Sequence, residues 1–378
     1  MSIWGRFCLG HLCPFEKRPQ MDIGLRKDKI FMNVLKVVFV IIGTLIGAGF
    51  ASGQEIYVFF YSFGIKGIYG LLISSIIIGL TIYSSLKIIQ KYDINNYKDF
   101  LDKTVKNKKI KNIINEIVNI FILISFYIMI AGFGAYLKQE YNLNNIIGSG
   151  ILALICLIIF KTNKNTLVKV NELLIPILIV IIVLIGLVNI QNIELTNLEN
   201  YLIPRNNSNW LIISIMYASY NCILLVPVLI TIKDYIKNKK DIKYISLIVT
   251  IIVTLLLMII FFLLINIDID IKSLEMPAVY AINKIWHNIK NVYGITILIS
   301  IFTTAISLGI SFLNNTSKNK KRHNIIALII CLTSIMFSTI GFSNLVNLLY
   351  PILGFLGIIQ IIQIYKKAQV LSNILQKQ

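Results

Sequence analysis

The residues Gly43-Thr44-Leu45-Ile46-Gly47-Ala48-Gly49-Phe50-Ala51-Ser52-Gly53-Gln54-Glu55 place backbone freedom and polar chemistry inside an apolar stretch. A glycine weakens a helix by about 1 kcal/mol relative to alanine. At membrane depth, irregular backbone survives where it is buried in protein or lines a wet cavity. An ionisable group at that depth marks a functional site. The run therefore reads as a broken helix whose N–H groups, at Gly47, Gly49, Ala51, Ser52 and Gly53, face an anionic group of a solute. Gln54 and Glu55 follow as gating or coupling groups, and Glu55 is suited to exchanging a proton. The competing reading is structural. Gly43 and Gly47, and Gly49 and Gly53, are small-xxx-small pairs that let helices pack closely, and Glu55 could lie near a membrane face.

Two further clusters could join it. Ser300, Thr303 and Thr304 stand at i, i+3 and i+4, with Ser307 beyond, so the first three share a helix face. Their hard oxygens suit a small cation such as Na⁺, or else bond back to the preceding helical turn. The run Tyr217-Ala218-Ser219-Tyr220-Asn221 puts Tyr217, Ser219 and Asn221 in the middle of another apolar stretch, as solute contacts or as a polar packing face. Tyr127 either closes over a solute or packs as an ordinary aromatic.

The elements that carry these groups are membrane spans. The chain has 378 residues, 57% hydrophobic and 14% charged, far below the quarter that is usual in soluble domains. Its apolar runs have the length that crosses a bilayer. Ten spans are expected: 34–63, 67–88, 112–137, 145–161, 171–190, 209–232, 244–266, 290–313, 323–341 and 343–365. Of 36 Lys and Arg residues, 30 fall in loops on one side and 6 on the other. That asymmetry places both termini in the cytoplasm. It also accounts for the net charge of +19 without any nucleic acid. The expected partners are a lipid bilayer and a small-molecule solute. Cys156, Cys222 and Cys331 read as buried apolar residues. Cys8, His11 and Cys13 match no zinc pattern and lack a fourth ligand.

The fold class is an all-α polytopic membrane protein. A cytoplasmic tail, expected to be disordered, covers 1–32, and a second covers 368–378. Polar amphipathic stretches at 92–106 and 272–289 follow the second and seventh spans, the same place in each five-span half. Five is odd, so two like halves, 33–190 and 191–367, would enter the membrane inverted. In such transporters the site lies at the midplane, between discontinuous helices in corresponding positions. Spans one and six are the expected broken helices.

The string GTLIGAGFASGQEI, the YASYN run followed by a proline, and the Thr-Thr pair of span eight resemble the YkvI-like family of bacterial membrane proteins. The likeness runs over roughly 33 to 365. That family is assigned to the amino acid–polyamine–organocation superfamily, with the fold of the bacterial leucine transporter. The resemblance implies a Na⁺ site at Gly43 and Ile46 (carbonyls), Ser300 (carbonyl), and Thr303 and Thr304 (hydroxyls). Phe50 stands where that transporter has an asparagine ligand of its other Na⁺ site, so the resemblance does not extend to a second ion. It implies a bacterial cell-membrane location and an ion-coupled symporter of an amino acid or similar solute, working by alternating access. No metalloprotease, nucleophile-elbow or P-loop pattern points to an enzyme. The alternatives are a germination-receptor-like sensor subunit of transporter fold, or a solute channel.

Overall fold

This computed structural model describes residues 19–105, 107–161, 165–191, 202–271, 274, 276–286, 289–317 and 319–376. Among them there is no strand. Helices occupy every expected span. Span one is α1 (Pro19–Leu45), α2 (Ala48–Ala51) and α3 (Gln54–Phe59). Spans two to five are α4 (Ile65–Tyr92), α6 (Lys108–Tyr141), α7 (Asn145–Phe160) and α8 (Asn165–Gln191). Spans six to ten are α9 (Trp210–Thr231), α10 (Lys239–Leu263), α12 (Lys290–Thr316), α13 (Lys320–Phe337) and α14 (Phe342–Gln376). Among the described residues, seven helices are long and apolar enough to cross a membrane, and Met32–Leu45 and Asn145–Phe160 are shorter apolar helices.

The two amphipathic stretches are helical where expected, as α5 (Tyr97–Thr104) and α11 (Pro277–Ile285). Asn96 caps α5 by accepting the Asp99 N–H at 2.9 Å, and Pro277 opens α11 at the first helical position. The backbone of α1 is helical from Pro19, so the helix reaches into the stretch 1–32 anticipated as a tail. Pro19 at the helix start favours that extension, and Gly24 within it works against it. Cys8, His11 and Cys13 lie outside the described residues.

The outer surface is oily. Leu154, Leu173 and Met336 are 61%, 68% and 73% exposed. Apolar patches of that extent suit contact with lipid. The polar side chains turn inward: Asn171, Ser219, Ser300, Thr303 and Ser307 are fully buried. The core of the bundle is therefore the wetter part of the molecule in its chemistry, and it encloses span one.

The sixth span departs from expectation. α9 is one uninterrupted helix from Trp210 to Thr231, with Pro227 inside it. Span one breaks first at Ile46–Gly47, where Gly47 is extended (φ −92°, ψ −169°), and again at Gly53, where glycine permits a left-handed φ of 82°. α9 has no glycine. Its polar groups also bond within the helix: Ser219 Oγ to the Ile215 carbonyl at 2.7 Å and Asn221 Nδ2 to the Tyr217 carbonyl at 3.0 Å.

Candidate functional site

The helix of span one stops at Leu45, and the chain then makes one short turn at Ala48–Ala51 before α3 begins. Flanking helices bond the opened backbone. Thr304 Oγ1 on α12 donates toward two carbonyls, that of Gly43 at 2.7 Å and that of Ile46 at 3.0 Å. The Ala48 N–H points at the Met129 sulfur at 3.4 Å. Tyr293 O–H donates to the Ala51 carbonyl at 2.6 Å, and the Ala278 N–H to the Ser52 carbonyl at 2.8 Å. Gln54 Nε2 donates to the Leu274 carbonyl. The break thus satisfies its polar groups through α6, α11 and α12, as a buried irregular segment must.

The inner end of the break is a cluster of neutral oxygens. Thr304 Oγ1 gathers the Gly43 and Ile46 carbonyls there, while the neighbouring Thr303 hydroxyl donates back into α12, to the Ile299 carbonyl at 2.9 Å and the Ser300 carbonyl at 3.1 Å. Thr304 is 3% exposed and Ile46, Ser300 and Thr303 are at 0%. Close packing shapes this end. A Cβ on Gly43 would collide with Asn171 of α8, and one on Gly47 would press on Met129 and Thr304. Carbonyl and hydroxyl oxygens without a formal charge are ligands for a hard monovalent cation rather than for a thiophilic metal. Among the described residues no group of His, Cys, Asp or Glu could hold a metal ion.

The outer end is built on Glu55, which is 3% exposed. Tyr220 O–H on α9 donates to its carboxylate, and the Tyr350 hydroxyl on α14 bonds it as well. The two tyrosine rings stack at 4.7 Å with an 11° tilt. Glu55 folds back over Gly49, where a Cβ would strike its carboxyl. Tyr217 joins the cluster edge-on to Phe59 at 5.3 Å and Phe60 at 4.7 Å.

The structure thus brings together Gly43, Ile46, Gly47 and Thr304 at one end, with Ser300 and Thr303 bonded within their own helix α12; Gly49, Glu55 and Tyr217 lie at the other end, and Gly53 lies against Leu264 and Ala278. Ala51 and Ser52 tie span one to α12 and α11, and Gln54 ties it to Leu274, three residues before α11. Two expected contacts lie elsewhere. Tyr127 O–H pairs with Thr333 Oγ1 at 2.6 Å, and its ring sits 4.9 Å from that of Phe337, so it faces α13. The reason is rotational: Met129 faces the break, and two residues earlier on a helix is about 200° away. Ser219 lies against Gly357 of α14 rather than against span one. Asn221 is spent on its own helix. Sequence reasoning missed Met129, Asn171, Tyr293 and Tyr350. Asn171, an amide in an otherwise apolar run, was the one with a readable signal.

No family model matches the chain. The Bacillus subtilis (strain 168) "Uncharacterized membrane protein YkvI" is 25% identical over 332 residues, spanning 85% of this chain and 92% of YkvI. YyaD of the same organism is 25% identical over 328 residues, spanning 86% of this chain and 94% of YyaD. The YkvI-like resemblance is borne out. Among solved structures, a substrate-bound, outward-open Na⁺-coupled sialic acid symporter superposes with a TM-score of 0.64 at 12% identity, over 89% of this chain and 82% of that one. MhsT in complex with L-phenylalanine gives 0.57 at 17% identity, over 81% and 80%. Mhp1, a nucleobase-cation-symport-1 family transporter in a closed conformation with bromovinylhydantoin bound, gives 0.58 at 10% identity, over 81% and 73%. The chain has the leucine-transporter-like fold.

Proposed function

We propose that the protein is a secondary active transporter, a Na⁺-coupled symporter of a small organic solute of the amino acid class. One observation carries this reading: Thr304 Oγ1 reaches both the Gly43 and Ile46 carbonyls, and Thr303 and Ser300 lie within one turn of it on α12. Na⁺ there would link span one to α12. An ion shifts a conformational equilibrium by its differential affinity for the states, and a link made in one arrangement of the two helices is such a difference. That a similar fold belongs to a Na⁺-coupled symporter, and another to a protein holding L-phenylalanine, supports the choice of ion and solute.

The two ends of the molecule differ in a way that suits alternating access. At the lysine-poor end, Tyr293, Ala278 and Gln54 close over the break. At the lysine-rich end lies a cavity of about 630 Å³ lined by residues of α8, α9, α12 and α13. Two of them, Ile310 and Asn314, continue the face of α12 that carries Thr303 and Ser307. We read this as a state open toward the cytoplasm, with both termini on that side and with 33–190 and 191–367 as inverted repeats. The solute would lie along Gly47–Gly53, between Tyr217 and α12.

The test is the melting temperature of the purified protein against a panel of amino acids, in Na⁺ and in choline, at two pH values. Ligand that binds the folded state raises stability by mass action. A solute that stabilises in Na⁺ alone supports the symporter. Na⁺-independent stabilisation that follows pH favours a second reading, proton coupling through Glu55. That reading has its own observation. Glu55 and Asp241 are the buried carboxyls among the described residues, and Asp241 closes a helix capping box. A sensor subunit would bind solute without counterflow, and a channel would pass it without saturation.

A further inference from the structure

At the lysine-rich end, α4 and α10 meet below a furrow on the outer surface of the bundle. A cavity of about 470 Å³ lies there, walled by Lys87, Lys91, Lys237 and Lys239 over the buried side chains of Ile242 and Leu371. Among the described residues no carboxylate lines it. The neighbouring cavity differs, because there Lys233 is already paired with Asp93 at 2.6 Å. Lysines are expected anywhere on this face. What sets this place apart is that four converge without an acid, and that the surface leading away from them is apolar.

That surface is apolar on both helices. α4 and α10 run antiparallel and touch where Ser246 Oγ donates to the Gly79 carbonyl at 2.6 Å. Counting about 100° per residue from that seam, Leu72, Ile76 and Leu80 fall to one side of α4. Leu247 and Ile251 fall to the same side of α10, because the opposite chain direction reverses the sense of rotation, and Leu255 falls opposite the seam. These six are between 37% and 59% exposed. Tyr83, Lys87 and Lys91 continue the α4 stripe at four-residue steps into the cavity. A half-exposed tyrosine at the junction of apolar and charged surface suits the membrane–water boundary.

We infer that the α4–α10 furrow binds one anionic phospholipid, with its phosphate headgroup on Lys87, Lys91, Lys237 and Lys239 and its acyl chains along the leucine and isoleucine strip. Basic pockets between helices on the cytoplasmic side have this chemistry. The inference is independent of what the protein transports. A free phosphate would use the lysines and leave the strip uncovered, so the two sources of the same headgroup chemistry can be told apart.

The experiment titrates the purified chain in neutral detergent with phosphatidylglycerol, phosphatidylethanolamine or inorganic phosphate, and follows retained lipid by native mass spectrometry and the melting temperature. One phosphatidylglycerol should be retained with a rise in melting temperature, and the two other probes should give neither. The variant K87Q/K91Q/K237Q/K239Q should bind phosphatidylglycerol about tenfold or more weakly. The charge-matched variant K161Q/K320Q/K321Q/R322Q, elsewhere on the same face, should bind as the parent does. Should the quadruple variant not melt cooperatively, K237Q/K239Q, both exposed, should still bind about threefold more weakly. Unchanged binding in the lysine variants, an equal loss in the charge-matched variant, equal retention of phosphatidylethanolamine, or an equal effect of inorganic phosphate would each overturn the inference.

Discussion

The hydroxyl of Thr304 lies 2.7 Å from the carbonyl oxygen of Gly43, across 261 residues of chain. A span that had stayed helical would have used that carbonyl four residues further on. The break releases it, and α12 supplies the partner.

Replacing Thr304 with valine keeps the shape and removes the oxygen. Two buried carbonyls lose a donor, which costs about 1–3 kcal/mol of stability. A cation site there loses a ligand, and Na⁺ affinity should fall about tenfold or more, equivalent to roughly 1.4 kcal/mol. Thr304→Ser should retain both. The readout is the Na⁺-dependent shift in melting temperature, with Thr303→Ala as the companion variant. An unchanged Na⁺ response in all three would remove the cation site.

Glu55→Gln separates the two coupling readings. It keeps the shape of a side chain held by Tyr220 and Tyr350 and deletes the titratable group. With Na⁺ as the coupling ion, the sodium shift at Thr304 should persist while the pH profile of uptake flattens. With a proton as the coupling ion, accumulation driven by a pH gradient should disappear. Uptake and pH profile both unaltered would reduce Glu55 to a structural acid.

The glycines of span one were legible because glycine in an apolar run has few ordinary uses. Thr304 was legible as the hydroxyl four residues after Ser300 on one helix face, whereas the Thr303 hydroxyl bonds one turn back to the Ile299 carbonyl. The continuity of α9 was not, since Ser219 and Asn221 look like site residues until their acceptors are known, and both acceptors lie one turn back in the same helix. Tyr127 failed for a different reason. A polar aromatic in an apolar span says nothing about which of several faces it takes, and the neighbour of that face is set by packing between distant helices. Met129, Tyr293 and Tyr350 were invisible for the same cause, being common apolar or aromatic residues until the fold brings them to Ala48, Ala51 and Glu55.

Tyr127→Phe tests that reassignment. The hydroxyl bonds Thr333, which also bonds its own helix at the Ile329 carbonyl at 2.8 Å. Thr333 is therefore not orphaned, and the loss should be about 0.5–1.5 kcal/mol of stability. Solute affinity should be unchanged. A large fall in affinity with little loss of stability would return Tyr127 to the binding site.

Asp268 predicts a pH effect on α11. The Lys284 ammonium at 2.9 Å, then the Tyr280 hydroxyl at 2.9 Å, hold its carboxyl below the usual carboxylate range. A lowered value means the tie is present above the ordinary aspartate range near about 4 and is lost as pH falls through the folded-state value. α11 is the helix whose Ala278 N–H holds the Ser52 carbonyl. Asp268→Asn at neutral pH should therefore speed hydrogen exchange in 277–285. At a pH low enough to protonate Asp268, variant and parent should exchange alike. Equal exchange at neutral pH would show that α11 is held by its apolar contacts alone.

Two glycine-to-alanine variants should move stability in opposite directions. Gly53 has a φ of 82°, and a Cβ there would come within 3.0 Å of Leu264 and 3.3 Å of Ala278. A side chain in that conformation costs roughly 1–2 kcal/mol, before any shift of α11. Gly150 lies within the helix α7, and a Cβ there meets nothing within 4 Å. Alanine at that place should stabilise by about 1 kcal/mol through helix propensity. Melting temperatures of the two variants, measured in the same detergent, check both signs. A neutral Gly53→Ala would mean that the break at Ser52–Gly53 can be rebuilt without a left-handed residue, and span one would then owe its shape to its partners on α11 and α12 rather than to its glycines.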